Sequence, residues 1–383
     1  MGKIGIGVIG YGGRIETVLR NTLKGGGEEV ALKAVFDPSE RSIAAVREQF
    51  GNQVAICASY EELCKRCDVD WVVIGSWNCF HRDQTLCAFA NGKHVYCEKP
   101  LATSVDDCLA MVKAQRETGL HFMTGYVLRY SPHYQKLKQV IGGGAIGEIV
   151  SMEFNETLDW NHGGFIHGDW RRHSEFSGSH LLEKCCHDMD LVTWLVGSRP
   201  ARIASFGGLG FFKPAYQHRM DELGTDANGK AAYCTWRTCE QATTPFTDDK
   251  DIVDHQVAIL AFENEVKATF HTNCNGAIPE RRMLIYGTEG TIRADVITGS
   301  IELRKIGFET EIEQLDSGAS GGHGGGDHIL GQNIADVMLG KDVSLTSVED
   351  GLVSAFTCFA MDEAMETGKV VELAPYWEQL ESL

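Results

Sequence analysis

The first 125 residues alternate in a way that leaves few folds open. Apolar runs at 4–9, 30–36, 71–75, 94–97 and 121–125 read as buried strands, and helix-patterned stretches at 39–50, 60–67, 81–91 and 104–118 lie between most of them. Strands that are apolar throughout need cover on both faces, so the rhythm is that of a doubly wound parallel sheet. At 383 residues the chain is long for one domain and suits two. Past Tyr126 the pattern changes. A helix is expected over 131–140 with Pro132 near its start, followed by the turn Gly142-Gly143-Gly144 and a strand over 148–155. Short alternating runs at 253–262, 266–272, 282–287, 291–294 and 300–306 predict a large, mostly antiparallel open sheet with helices on one face. Residues 211–251 are polar and unpatterned and read as a long excursion or lid. A last helix over 348–367, after the candidate cap Ser347, could pack back on either domain. The expected domains are 1–125 and 126–383.

Composition removes several classes of function. No run approaches the roughly eighteen apolar residues of a membrane span, and the first residues lack the basic head and cleavage site of a secretory signal, so the cytoplasm is the expected location. The formal charge of −18, from 35 basic and 53 acidic residues, repels polyanions. Nucleic acid and anionic membrane are therefore poor partners, and a neutral or cationic small molecule suits the chain better. Thirteen cysteines, an odd number with Cys185 and Cys186 adjacent, do not make a secreted disulfide framework; reduced thiols are expected. Cys185, Cys186 and His187 with Cys234 and Cys239 could be read as a zinc set. Adjacent cysteines on a helix face different ways and Cys-x4-Cys is not a tight knuckle, so buried thiols are the better reading and no metal is expected.

The sharpest local signal is the first strand running into Gly10-Tyr11-Gly12-Gly13-Arg14-Ile15 and then a helix. Gly10, Gly12 and Gly13 let the backbone turn and approach a pyrophosphate, whose charge meets amide N–H groups at the helix start, with Arg14 beside them. The third glycine of the dinucleotide fingerprint is replaced by Ile15, and an ordinary tight turn remains the alternative. Asp37 ends the second strand, where an acid accepts ribose hydroxyls and repels a 2′-phosphate. That favours NAD over NADP, although Arg41 nearby leaves room for NADP, and Asp37-Pro38-Ser39 is also a plain turn and cap. Two further segments fall at strand ends, where open sheets bind ligands: Ser76-Trp77-Asn78-Cys79-Phe80-His81 and Glu98-Lys99-Pro100.

Taken with Arg129 and Pro132, residues 144–149, Trp170-Arg171, His187 with Asp190, and His323-Gly324-Gly325-Gly326-Asp327, these pieces resemble the Gfo/Idh/MocA oxidoreductases over nearly the whole chain. The resemblance implies an N-terminal Rossmann domain and a C-terminal α/β domain, with the active site in the cleft between them. It implies that Lys99 and His187 flank the reacting carbon, that Ser76, Asn78, His81 and Glu98 line the cofactor site with Trp170 and Arg171, and that His323 lies near substrate. Where many relatives carry Asp, this chain has Glu183. On an uninterrupted helix 183, 187 and 190 share a face, so Glu183, His187 and Asp190 would point together. A carboxylate there would orient His187 and raise its pKa. Tyr126 and Arg129 could reach cofactor or substrate, Arg129 being equally readable as a structural ion-pair partner. Trp160, His162, His167, Trp170 and Arg171 read as a glycine-rich aromatic loop suited to the face of a sugar, or tucked over the domain junction.

Removing hydride from a secondary carbinol needs a base for the hydroxyl proton. His187 is assigned as that base and Lys99 as its partner, with the reverse left open. The expected function is NAD-dependent hydride transfer to or from a sugar, glycoside or inositol, in a homodimer or homotetramer formed through the open sheet face. Two alternatives stand beside it. One is cleavage of a glycoside through transient oxidation with no net redox; the other is a nicotinamide-binding regulator without catalysis.

Overall fold

The computed structural model describes residues 3–236 and 244–383. They form two compact units: the chain up to Pro132 with Ser320–Ala355 and the terminal Leu383, and His133–Ala319 with Phe356–Ser382.

The first unit is built on strands β1 (Ile4–Ile9), β2 (Val30–Phe36), β3 (Ala55–Ile56), β4 (Trp71–Ile74), β5 (His94–Cys97) and β6 (Phe122–Thr124). All pairings are parallel and the order is β3-β2-β1-β4-β5-β6. Winding therefore reverses between β1 and β4, which is where open α/β sheets bind ligands. The two-residue β3 carries too little pattern to be read from sequence. At the end of β1 the backbone turns at Gly10 with φ +83°. A Cβ there would lie 2.5 Å from Ser76 N and 2.7 Å from Ser76 Cα, so only glycine fits. The absent third glycine of the fingerprint is compensated from the other side: Ile15 is 1% exposed, and a Cβ on Gly75 would fall 1.9 Å from its Cγ1. Close helix-to-strand packing is thus obtained from a glycine at the end of β4 instead of one on the helix Gly13–Gly26.

Residues 320–355 bring a helix the sequence reading did not separate from its glycine-rich start, Gly326–Met338. It packs along the helix Gly13–Gly26, where Asn21 Nδ2 donates to Asp327 O at 3.2 Å. The helix Val348–Thr367 forms as expected, its residues up to Ala355 grouping with the first unit and the rest with the second.

The second unit holds β7 (Ile149–Asp159), β8 (Pro200–Gly208), β9 (His255–Phe262), β10 (Lys267–Gly276), β11 (Arg282–Gly287), β12 (Gly290–Asp295), β13 (Ser300–Lys305), β14 (Glu313–Gln314) and β15 (Val371–Glu372). Their order is β14-β13-β12-β11-β7-β10-β9-β8-β15, antiparallel except for β7 against β10. β8, with a proline and two glycines, escaped the sequence reading, as did the short edges β14 and β15. Side chains of β9 and β10 alternate buried and exposed, so one face carries the core and the other is open. The excursion after β8 has a core of its own. Phe212, Tyr233 and Phe246 pack with Leu158, Ile166, Ile252 and Cys274, the Phe212 and Phe246 rings 5.5 Å apart. Its stretch 237–243, with Cys239, lies outside the described residues.

Candidate active site

The nucleotide-binding half forms at the carboxyl ends of β1, β2, β4 and β5. Gly12 is the N-cap of the helix Gly13–Gly26 and supplies no side-chain cap. A Cβ on Gly12 or Gly13 would meet nothing within 4 Å. The backbone at this helix start is thus open to close approach, and a first turn without a side-chain cap is a setting for a phosphate. Asp37 holds this turn and the next: its Oδ2 accepts from Tyr11 N at 2.6 Å and its Oδ1 from Ser39 N at 2.7 Å. Both the turn reading and the ribose reading survive, because an ionised carboxylate has about four acceptor positions.

Arg14 ties the glycine turn to two carboxylates. Its Nε donates to Glu98 Oε1 at 2.8 Å and its Nη1 donates to Asp327 Oδ1. Its Nη2 is buried with no acceptor among the described residues. A buried guanidinium N–H without an acceptor beside an open helix start fits an anionic group such as a pyrophosphate. Tyr96 OH also donates to Glu98 Oε1, at 2.8 Å, and Glu98 Oε2 accepts from the backbone N–H of Lys99 at 3.2 Å. Glu98 is therefore the support behind the half-buried Lys99. Burial alone would raise Asp327, but bonds from His323 and Arg14 hold it down at about 2. Ser76 Oγ donates to Gln84 Oε1 at 2.7 Å, and Asn78 is 4% exposed.

His81 is corrected from cofactor contact to internal brace. It is wholly buried, with Nδ1 2.9 Å from Pro100 O and Nε2 3.2 Å from Ser76 O, so both ring nitrogens face backbone carbonyls of the two strand-end segments. Tyr126 and Arg129 are likewise committed to the fold. Tyr126 is fully buried with its hydroxyl 3.4 Å from Gly351 O, and Arg129 Nη2 donates to Asp350 Oδ1 at 2.9 Å. Of the two roles open for Arg129, the structural ion pair is what the geometry contains. His323 belongs to the first unit; its Nδ1 sits 2.9 Å from Asp327 Oδ2, which links it to Arg14.

In the second unit Glu183 and His187 lie on one chain segment, but not on the uninterrupted helix assumed above. Leu181–Cys185 is a π-helical turn that passes into the α-helix Cys186–Val196. The wider turn breaks the 3.6-residue spacing, so a shared face for 183, 187 and 190 does not follow from the sequence; such turns recur at functional sites. Glu183 Oε1 accepts from Arg171 Nε at 3.0 Å, and Arg171 Nη1 donates to Asp169 Oδ1 at 2.9 Å. The Arg171 guanidinium lies 4.5 Å from the centre of the Trp170 ring and 4.9 Å from that of Phe165. The supposed aromatic loop is a helix, Trp160–Gly168. His167 is corrected from sugar contact to core: it is wholly buried, stacks on Phe212 at 4.5 Å, and burial pulls its pKa down to about 3. His162 stacks at 4.4 Å on Trp236, itself 49% exposed.

A buried charge cluster missed by the sequence reading anchors this segment. Lys184 Nζ is 3.3 Å from Glu156 Oε1; Arg281 Nε is 2.7 Å from Glu156 Oε2; and Arg281 grips Asp188 through Nε at 2.9 Å and Nη2 at 2.7 Å. Lys184 within the Glu183–His187 stretch and Asp188 just after it are thereby fixed to β7 and to the residue before β11. Burial pushes Asp188 up to about 6, helped by Glu156 and opposed by Arg281. The signal available was Asp188 itself, a carboxylate near the start of a largely apolar helix, which has to find a partner when buried. Replacing Arg281 by Met strands both carboxylates without their shared cation. It is expected to lower unfolding free energy by about 3–5 kcal/mol in urea denaturation; a loss below about 1 kcal/mol would contradict the clamp.

Residues 4–126 match the profile of the oxidoreductase family with an NAD-binding Rossmann fold, and residues 134–293 that of the GFO/IDH/MocA C-terminal domain. The chain is 30% identical over 285 residues to 2,7-anhydro-N-acetylneuraminate hydratase of Escherichia coli (strain K12), covering 74% of this chain and 66% of the relative. It is 27% identical over 364 residues to 1,5-anhydro-D-fructose reductase of Ensifer adhaerens, covering 91% of this chain and 92% of the relative. Among solved structures, levoglucosan dehydrogenase in complex with NADH and levoglucosan superposes with a TM-score of 0.78 at 18% identity, over 97% of this chain and 100% of that one, a likeness of fold. The glycine turn, the Glu98-Lys99-Pro100 strand end and the matched span of both units agree: the chain belongs to the Gfo/Idh/MocA oxidoreductase family, and its first unit is an NAD-binding Rossmann fold.

Proposed function

We propose that the protein transfers a hydride between NAD and a secondary hydroxyl carbon of a sugar, glycoside or inositol. The observation that carries this reading is the setting of Lys99. It stands on the same strand-end rim as the glycine turn, with its backbone bonded to Glu98, while Glu98 is fixed by Arg14 and Tyr96. When bound, NAD supplies the hydride acceptor. The amides of Gly12 and Gly13 and the Nη2 of Arg14 would hold the pyrophosphate, Asp37 would accept from the ribose hydroxyls, and Ser76, Asn78 and Glu98 would border the nicotinamide half. His187 takes the hydroxyl proton as the carbon is oxidised, and Lys99 donates a hydrogen bond to the oxygen as it becomes a carbonyl. Glu183, held by Arg171, orients the reacting hydroxyl.

A second reading is glycoside cleavage with transient oxidation and no net redox. It is favoured by the likeness to a hydratase at 30% identity beside the likeness to a reductase at 27%. A non-catalytic regulator has no need of the Lys99, Glu183 and His187 set. All twelve described cysteines are free thiols, and no helix among the described residues is long and apolar enough to cross a membrane, which suits the reducing cytoplasm.

The open face of the second sheet we assign to another copy of this chain. Phe206 and Ile259 are 66% and 59% exposed there and lie beside Val257, with Phe206 opposite Val257 in the β8–β9 register. A face of this kind is an association surface. Ile259→Asp is expected to shift the protein to a smaller assembly in sedimentation analysis; a monomeric wild type would contradict the assignment.

The function itself is tested by NADH absorbance and product analysis with a panel of glucosides, free sugars and inositols. Lys99→Ala and His187→Ala are each expected to lower kcat by about 10²–10⁴-fold. Glycosidic products without NADH would favour the cleavage route, and full activity in both variants would contradict the assigned roles.

A further inference from the structure

The stretch that carries Glu183 and His187 is held just past its end by Asp188, but its entry is held by different chemistry. The chain arrives through Gly178 with φ +89°, and a Cβ there would fall 2.3 Å from Leu182 Cδ2, so glycine is required. Ser179 follows and meets two of the amides that the start of a helical segment leaves without acceptors. Its Oγ accepts from Leu182 N at 3.0 Å and its carbonyl accepts from Glu183 N at 2.9 Å. The same hydroxyl donates to Asp362 Oδ2 at 2.6 Å. Asp362 lies one turn after Cys358 on the helix Val348–Thr367, and the Cys358 Sγ is 3.9 Å from Leu181 O, so one face of that helix meets the π turn at two points. The other carboxylate oxygen, Oδ1, is 3.4 Å from Nε2 of the wholly buried Gln256, which ties the contact to β9. An acid is costly to keep in this place: burial pushes the Asp362 carboxyl up to about 7, and Glu366 adds to the rise.

Resting on the hydride-transfer reading above, we infer that Asp362 is a positioning residue for that reaction: acting through Ser179, it fixes the start of the π turn and with it the place of Glu183 and His187. The short bond to the carboxylate holds the Ser179 hydroxyl in the orientation that leaves a lone pair for Leu182 N. Without the carboxylate the hydroxyl rotates, and the first amides of the turn lose their fixed acceptor.

Two readouts on the full-length protein separate the tie from its function. Hydrogen–deuterium exchange needs no substrate: Asp362→Leu and Ser179→Ala are each expected to speed exchange of the amides at 182–187 by about tenfold or more. In steady-state kinetics with NAD and an active member of the panel, both are expected to lower kcat about tenfold with KM little changed. Asp362→Asn and Ser179→Thr, which keep the acceptor and the hydroxyl, are expected to retain kcat within about threefold of the wild type. Wild-type exchange in both folded Asp362→Leu and Ser179→Ala proteins would overturn the tie. Faster exchange with unchanged kcat, or equal losses in Asp362→Leu and Asp362→Asn, would overturn the positioning role while leaving hydride transfer intact. Failure of the wild type to reduce NAD or cleave any panel compound would remove the functional reading, and the positioning role with it.

Discussion

Everything in the first unit follows from how closely β1 and β4 approach at their carboxyl ends. The turn at Gly10 runs against the Ser76 backbone, and Gly75 makes room for Ile15. These contacts set the helix Gly13–Gly26 down where the winding of the sheet reverses, with the backbone at Gly12 and Gly13 open to close approach. A side chain at position 10 would part the two strand ends, and with them the glycine turn and the segment leading into His81. The same strand-end rim carries Glu98 and Lys99 one strand further on, and Arg14 bonds the two places together through Glu98.

The two units solve opposite electrostatic problems. In the first, an acid pair, Glu98 and Asp327, holds Arg14 beside a helix start, leaving one of its N–H groups without an acceptor for an anion to meet. In the second, Arg171, Lys184 and Arg281 are bound to the four carboxylates Asp169, Glu183, Glu156 and Asp188, which fixes the residues flanking His187.

Much of this was readable in the sequence because it is local. The βαβ rhythm, the glycine turn, Asp37 at the end of β2 and Lys99 at the end of β5 all lie where short-range pattern puts them. What escaped was set by contacts far along the chain. Ile15 looked like a defect in the fingerprint because its counterpart, Gly75, lies sixty residues away. The π turn at Leu181–Cys185 leaves no compositional mark, so the helical wheel used for Glu183 and His187 assumed a regular spacing that the segment does not have. Two helices were lost behind glycines: Gly163 and Gly164 made Trp160–Gly168 read as a loop, yet a Cβ at either would strike Cys274 O or Tyr233 O, so the glycines serve packing. His81 and His167 looked like ligands because histidine has chemistry, whereas the structure uses one as a brace and the other as a stacked core ring.

The most direct test of the central claim is isotopic. A substrate from the active panel, deuterated at all its carbinol carbons, is incubated with excess protein and NAD for a single turnover, and the nicotinamide cofactor is weighed by mass spectrometry. Transfer of a hydride from carbon predicts that the cofactor gains one deuterium as the carbonyl forms. A cofactor that stays unlabelled while a carbonyl product accumulates would contradict hydride transfer at this site.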